Sequence, residues 1–343
     1  MSSKGYNPVT TMAFTPTPQQ VEIPQKYRDD KPKRVGWLVV SCICLLLVLA
    51  GGWFVYTRPM SVADGILRTR LRLAGIDSRY TQVGPYRVHY FVGGQGKPLL
   101  LVHGLGARAE DWAPEIPQYA KHGFRVYAID LLGCGRTSRP NISYSIQQQA
   151  DLVNGFLDTM HLEQVDIAGW SMGGWVSLLY TLNHPQRVDR LVVMDSAGLL
   201  FEATFGPSIF EPKTPQQLAE LTALLTPHPD RLPGFVTRDV LRRMGRNAWV
   251  IHRTVKTMLA GQDLLDGRLG QIHVPVLIVW GAQDTLIPPS SGEQMHKDMP
   301  QSVLELYQGC GHIAPLNCAD RIVPNVRQFL DSSPAMAGGT YRY

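Results

Sequence analysis

The hexapeptide Gly169-Trp170-Ser171-Met172-Gly173-Gly174 stands between the apolar run Val165-Asp166-Ile167-Ala168 and a helix-like stretch from Trp175 to Asn183. Glycines at the G-x-S-x-G spacing permit a turn from strand to helix too sharp for flanking side chains. A chain that turns in this way must seat the strand inside a sheet and lay the helix on its face. The serine then projects its hydroxyl from the carboxyl end of the sheet, and the amino-terminus of the helix behind it favours developing negative charge. The bare pattern occurs by chance; its place between strand and helix gives it meaning.

The rest of the chain supplies such a sheet. Short apolar runs at Tyr86–Val92, Pro98–Val102, Phe124–Ile129, Val165–Gly169, Leu191–Met194, Val276–Trp280 and Val303–Tyr307 alternate with helix-length amphipathic stretches. Several are continuous Val, Leu and Ile, as strands covered on both faces require. The expected fold class is therefore α/β, a mostly parallel sheet with helices on both faces. Over 198–270 the alternation stops and only helical patterns remain, which predicts an inserted helical cap. Thr214 and Pro215 open one of its helices, with Leu218, Leu221, Leu224 and Leu225 on one face. Ile251, Val255, Met258 and Leu259 form a second stripe. The expected organisation is a disordered leader at 1–34, a transmembrane helix at 35–56, a linker at 57–77, an α/β core at 78–197 and 271–331, the cap at 198–270, and a disordered tail at 332–343.

A nucleophilic serine needs a base, and the base needs an acid to fix its tautomer. Of ten histidines, His312 is best placed, in Gly309-Cys310-Gly311-His312 just after the last apolar run. His89, His103 and His273 are expected to be structural. Asp284 follows the run Val276–Trp280 and is the expected acid, with Asp195, at the end of Leu191–Met194, as the alternative. Asp130 is expected to tie down the Leu131-Leu132-Gly133 loop. The order Ser171, Asp284, His312 is that of the α/β-hydrolase arrangement rather than the chymotrypsin or subtilisin orders. The backbone N–H groups of Met172 and of Leu105, in His103-Gly104-Leu105-Gly106, are the expected oxyanion donors, each worth ~3 kcal/mol in the transition state. No cluster with metal-ligand spacing occurs in the sequence, and neither metal nor cofactor is expected.

The run from Val35 to Tyr56 carries no charge and is long enough to cross a hydrocarbon layer of roughly 30 Å as a helix. Trp37, Trp53 and Tyr56 sit near its ends, and Lys31, Lys33 and Arg34 crowd its amino-terminal edge. Leader and run are both long for a cleaved signal peptide, so a retained single-pass anchor is expected. The flanking basic residues favour a cytoplasmic amino-terminus with the catalytic domain extracytoplasmic. The formal net charge of +5 is partly the leader's, where six Lys/Arg face three Asp/Glu. The remainder is close to neutral and lacks a concentrated basic face, which excludes a nucleic-acid partner. Of five cysteines, Cys42 and Cys44 lie in the apolar run and Cys134 has no evident partner. Cys310 and Cys318 are expected to be free thiols.

With these residues in place, the chain from about Tyr86 to Leu330 resembles the α/β-hydrolase family in its HGxG-type loop, its Asp130-Leu131-Leu132-Gly133-Cys134-Gly135 turn and its GxSMGG elbow. Together with the anchor, it is similar to single-pass lipases and monoacylglycerol lipases of the α/β-hydrolase domain-containing 6 type. That resemblance implies hydrolysis of lipid-like carboxylic esters through an acyl-enzyme, with an apolar ester as substrate and the bilayer as partner. The same elbow occurs in carbon–carbon bond hydrolases acting on ring-fission products, and acyltransferases share the triad. Serine at the elbow argues against epoxide hydrolases and haloalkane dehalogenases of this fold, which carry Asp there. Some proteins of the fold are ligand receptors, a reading that an intact triad disfavours.

Overall fold

The computed structural model describes Gly5, residues 32–333 and residues 335–343. Two compact units divide the chain between Phe54 and Val55. The first is dominated by helix α1 (Pro32–Thr57), whose Gly36–Thr57 stretch has a mean hydropathy of 2.6 and no buried residue. By length and composition this helix is long and apolar enough to cross a membrane. The expected disordered leader lies outside the described residues, apart from Gly5 and the first turn of α1.

The second unit follows the expected fold class. Its elements run α2 (Pro59–Leu73), β1 (Asp77–Val83), β2 (Tyr86–Gly93), β3 (Lys97–Val102), α3 (Ile116–Ala120), β4 (Phe124–Ile129), α4 (Ile146–Thr159), β5 (Val165–Trp170), α5 (Met172–Asn183) and β6 (Val188–Met194). After them come α6 (Pro215–Leu225), α7 (Gly234–Leu259), β7 (Val276–Gly281), α8 (Pro289–Asp298), β8 (Val303–Tyr307), α9 (Ala314–Asn317), α10 (Ala319–Asp331) and β9 (Thr340–Arg342). The sheet order is β1-β2-β4-β3-β5-β6-β7-β8-β9, antiparallel at β1/β2 and β2/β4 and parallel elsewhere.

Successive residues of a strand point to opposite faces, and both faces are covered. Leu100 and Val102 of β3, Ile167 of β5 and Ile278 and Trp280 of β7 pack with Phe156 of α4, Trp175 of α5 and Met295 of α8. Leu99 and Leu101, Ala168 and Trp170, and Leu277 and Val279 pack on the other side, with Leu71 of α2, Tyr119 of α3 and Phe329 of α10.

Two segments depart from expectation. The 57–77 stretch holds α2, a helix folded onto the domain through buried Leu71 and Asp64, rather than a linker. The 332–343 tail ends in β9, which pairs with β8 at Leu304↔Thr340 and Leu306↔Arg342, rather than in disorder. In both cases tertiary packing supplies what local propensity does not.

The 198–270 segment contains α6, α7 and a short 3₁₀ turn at Pro207–Phe210, with no strand among its described residues. Thr214 caps α6: its hydroxyl accepts from the Gln217 amide at 3.2 Å, and the Gln217 side chain accepts from the Thr214 amide at 3.2 Å. Leu218, Leu221, Ile251 and Val255 are buried, and Met258 is half-buried. Leu259, 67% exposed, falls off the packed stripe.

Candidate active site

Ser171 sits between the end of β5 and the start of α5 with φ 56° and ψ −121°, a left-handed backbone that a residue with a side chain adopts only under constraint from its surroundings. The constraint is visible. The Ser171 amide donates to Met194 O of β6 at 2.9 Å, and its carbonyl accepts from the Gly174, Trp175 and Ala197 amides. Gly173 is required because a Cβ there would lie 2.2 Å from Val102 O of β3. The helix therefore starts against the neighbouring strand, and the hydroxyl is lifted to the sheet's carboxyl edge.

The structure brings the three expected residues together. His312 Nε2 lies 2.8 Å from Ser171 Oγ, and His312 Nδ1 lies 2.8 Å from Asp284 Oδ2. All three are buried, Ser171 at 9% exposure, Asp284 at 3% and His312 at 2%. The other Asp284 oxygen, Oδ1, accepts from the Leu286 amide at 2.9 Å and the Ile287 amide at 3.0 Å. The carboxylate is thereby oriented with one oxygen toward the turn and one toward the imidazole. His312 is held from behind by Trp170, whose indole N–H donates to His312 O at 2.7 Å.

Asp195 also reaches this region, from the end of β6. Its Oδ1 accepts from the Gly281 amide at 2.7 Å and its backbone has φ 45°. No hydrogen bond joins it to His312 among the described residues. Burial, with the nearby Asp284 carboxylate adding to it, pushes the Asp195 pKa well above the usual carboxylate range.

The His103-Gly104-Leu105-Gly106 loop lies against the serine. A Cβ on Gly104 would approach Ser171 Cβ to 3.0 Å and Ser171 Oγ to 3.5 Å, so only glycine leaves the hydroxyl clear. Among the described residues, neither the Leu105 nor the Met172 amide donates to a protein acceptor. The loop is fastened by His103, whose Nδ1–H donates to Gly104 O at 2.8 Å while its Nε2 accepts from the Leu131 amide at 3.1 Å. Burial pushes the His103 pKa down, in keeping with the neutral tautomer this pattern requires. Asp130 works next to it, accepting from the Ala109 amide at 2.7 Å, the Arg136 amide at 2.9 Å and His89 Nδ1 at 2.7 Å. His89 and Asp130 are fully buried, and His273 is exposed at the foot of β7.

Cys310 and Cys318, expected as free thiols, form a disulfide. Their Cα atoms lie 6.3 Å apart, within bridging range, because α9 is a single turn that doubles the chain back. The bridge closes the loop that carries His312. Cap residues meet the same loop: the Ile313 amide donates to Leu225 O at 3.2 Å, and Asn317 Nδ2 donates to Thr226 Oγ1 at 3.2 Å. On the opposite rim Ile251 of α7 lies against Gly106, 3.6 Å from where a Cβ would stand. No group of His, Cys, Asp or Glu suited to a metal ion occurs among the described residues.

Residues 99–324 match the alpha/beta hydrolase family. The chain belongs to that family. An uncharacterised protein of Mycobacterium tuberculosis is 28% identical over 74% of this chain and 81% of its own length. The 2-hydroxy-6-oxo-6-(2'-aminophenyl)hexa-2,4-dienoic acid hydrolase of Metapseudomonas resinovorans is 30% identical over 69% of this chain and 84% of its own. A crystal structure of a membrane phospholipase A, described as a bacterial virulence factor, superposes with a TM-score of 0.75 at 25% identity, over 86% of this chain and 98% of its own. The relatives named for an activity are hydrolases, among them a dienoic acid hydrolase and, by structure, a phospholipase A.

Proposed function

We infer that the protein is a membrane-anchored serine hydrolase cleaving apolar carboxylic esters, with Ser171 as nucleophile, His312 as general base and acid, and Asp284 as the acid that orients His312. The observation that carries this is the continuous Ser171–His312–Asp284 hydrogen-bond chain at the carboxyl edge of the sheet. His312 takes the hydroxyl proton as Ser171 Oγ attacks the ester carbonyl. The oxyanion of the tetrahedral intermediate accepts from the Leu105 and Met172 amides. Collapse expels the alcohol, protonated by His312, and leaves an acyl-serine. Water then repeats the sequence, with His312 again as base, and releases the acid.

Support for an apolar substrate comes from the cap. Leu224, Leu225, Phe201, Phe205, Phe210 and Met258 are partly buried against the same core cluster that includes Met172. Support for the bilayer as partner comes from α1, and the likeness to a membrane phospholipase A agrees with both. The disulfide beside His312 favours an oxidising compartment for the catalytic domain, hence an extracytoplasmic one.

The second reading, carbon–carbon bond hydrolysis, is favoured by the likeness to the Metapseudomonas resinovorans hydrolase. One experiment separates them. Full-length wild-type protein and Ser171→Ala are treated with a fluorophosphonate probe, then assayed on p-nitrophenyl and monoacylglycerol esters beside a ring-fission dienoate. Labelling and ester turnover in wild type alone are expected. Labelling that persisted in Ser171→Ala would refute the nucleophile, and turnover of the dienoate alone would transfer the site to the second chemistry.

A further inference from the structure

Asp64 is an acidic side chain buried to 6% exposure in a helix that otherwise carries arginines, Arg68, Arg70 and Arg72. Its partners come from two distant parts of the fold. Arg108 clamps it with both terminal nitrogens, Nη2 to Oδ1 at 2.6 Å and Nη1 to Oδ2 at 3.0 Å. Arg243, on α7 of the cap, donates from Nη1 to the same Oδ2 at 2.9 Å and from Nη2 to Ser61 Oγ at 3.2 Å. A second tie between the same helices runs from the Met60 amide to Asp239 Oδ2 at 3.0 Å.

The location of these arginines decides what the cluster does. Arg108 closes the segment Gly104–Arg108, which contains Leu105; the Ala107 amide turns back to Gly104 O at 3.2 Å, and the Ala109 amide is fixed on Asp130. Arg243 lies eight residues, or roughly 12 Å, before Ile251 along one continuous helix. Ile251 is the cap residue over Gly106 of that same loop, its Cδ1 3.6 Å from where a Cβ would stand. The loop and the cap helix therefore meet twice, once directly over Gly106 and once through the carboxylate of α2. Burial raises the pKa of Asp64, but Arg108 and Arg243 outweigh it and hold the group ionised. Asp64 is the carboxylate shared by the two arginines, although Arg108 Nε also lies 3.9 Å from Asp111 Oδ1, so loss of Asp64 leaves both cations near one another with that single weaker partner.

We propose that Asp64 is a positioning residue for hydrolysis, fixing the Leu105 amide through Arg108 and the closed cap through Arg243, so that the helix next to the anchor sets both catalytic alignment and substrate access. The proposal rests on the serine-hydrolase function given above. Loss of the clamp on Arg108 displaces the oxyanion donor, and an error near 1 Å costs on the order of 10²-fold in rate. Loosening of Arg243 alone leaves the loop clamped by Arg108 and α7 tied to α2 only through Asp239, a weaker hold on the cap that acts on substrate binding.

The test uses the full-length protein in detergent micelles with a medium-chain p-nitrophenyl ester. Asp64→Asn is expected to lower kcat at least tenfold, and Arg243→Met to raise KM several-fold with a much smaller change in kcat. Arg70→Ser, an exposed change on the same helix, leaves both parameters as in wild type. A melting curve for each variant establishes that it is folded at the assay temperature. Folded Asp64→Asn and Arg243→Met with the kinetics of Arg70→Ser would overturn the proposal while leaving the serine hydrolase intact. If Asp64→Asn does not fold, Arg243→Met decides alone, and an unchanged KM overturns it. A wild-type protein inert on every ester would instead refute the proposed function, and this inference with it.

Discussion

Asp284→Asn has an outcome that the hydrogen bonds at the site dictate. Asp284 Oδ1 accepts from two backbone amides, Leu286 and Ile287, and Oδ2 faces His312 Nδ1. An asparagine keeps the two backbone bonds only by placing its carbonyl oxygen in the Oδ1 position, because an NH₂ group cannot accept from an N–H. Its NH₂ then points at His312 Nδ1 and donates to it. The imidazole must accept there, which moves its own proton to Nε2, against Ser171 Oγ, where the base has to be unprotonated. The wrong tautomer and the lost imidazolium stabilisation together predict a kcat decrease of about 10⁴, or ~5 kcal/mol of barrier. The fold keeps its turn bonds, so the melting temperature should change little. Asp195→Asn provides the contrast: no hydrogen bond joins Asp195 to His312 among the described residues, and an amide oxygen in the Oδ1 position keeps the bond from the Gly281 amide. Steady-state kinetics on a p-nitrophenyl ester, with fluorophosphonate labelling rates as a second readout, measure both variants. An Asp284→Asn protein retaining more than a tenth of wild-type kcat, or an Asp195→Asn protein equally inactive, would refute the assignment of the acid.

Four further outcomes are expected. Specificity constants for a homologous ester series should rise with acyl length, each buried methylene contributing ~0.8 kcal/mol, and then fall once the cavity under the cap is full; a flat series would remove the lipid-like substrate. Full-length protein should stay in the membrane pellet through carbonate and high-salt washes, since an apolar helix is not held by charge; recovery in the supernatant would refute the anchor. Glu115, buried beside Tyr119 and pushed up by burial to about 8, keeps its proton in the fold while the unfolded chain ionises near 4.5. Stability should accordingly fall as pH rises from about 4.5 to 8, by on the order of a few kcal/mol, and Glu115→Gln should flatten that slope in melts at pH 5 and pH 8. Reduction, or Cys310→Ser with Cys318→Ser, should lower kcat several-fold by releasing the loop that carries His312; unchanged kcat in the double variant would show that the cap contacts suffice to hold it.

The positions of Ser171, Asp284 and His312 were legible because each follows an apolar run closely, and an α/β sheet delivers the ends of its parallel strands to one edge. Chain order and strand position are local information. The disulfide was not legible in the same way: eight residues of separation permit many geometries, and the single turn of α9 that brings Cys318 back to Cys310 has no sequence signature of its own. Helix α2 was hidden for a related reason. Its buried residues are few, and Arg68, Arg70 and Arg72 resemble the flank of a membrane span. The tail showed no apolar run, yet β9 forms because the edge of β8 offers unpaired groups, with the Tyr343 amide donating to Leu306 O at 2.9 Å.

What separates the two kinds of residue is whether their role depends on one strand or on several remote segments. Asp64 reaches a partner 44 residues away in the loop after β3 and another 179 residues away on α7. In the sequence it is one carboxylate among arginines, indistinguishable from a solvated surface charge. Only the three-way contact shows that its charge is buried and that its partners come from two separate segments, the loop after β3 and helix α7. The meeting of Ser171, His312 and Asp284 therefore follows from the order of the strands, whereas the meeting of α2, α7 and the loop after β3 follows from how they pack. Substitutions at Ser171, Asp284 or His312 should remove the reaction itself, while Asp64→Asn should slow it and Arg243→Met should weaken substrate binding.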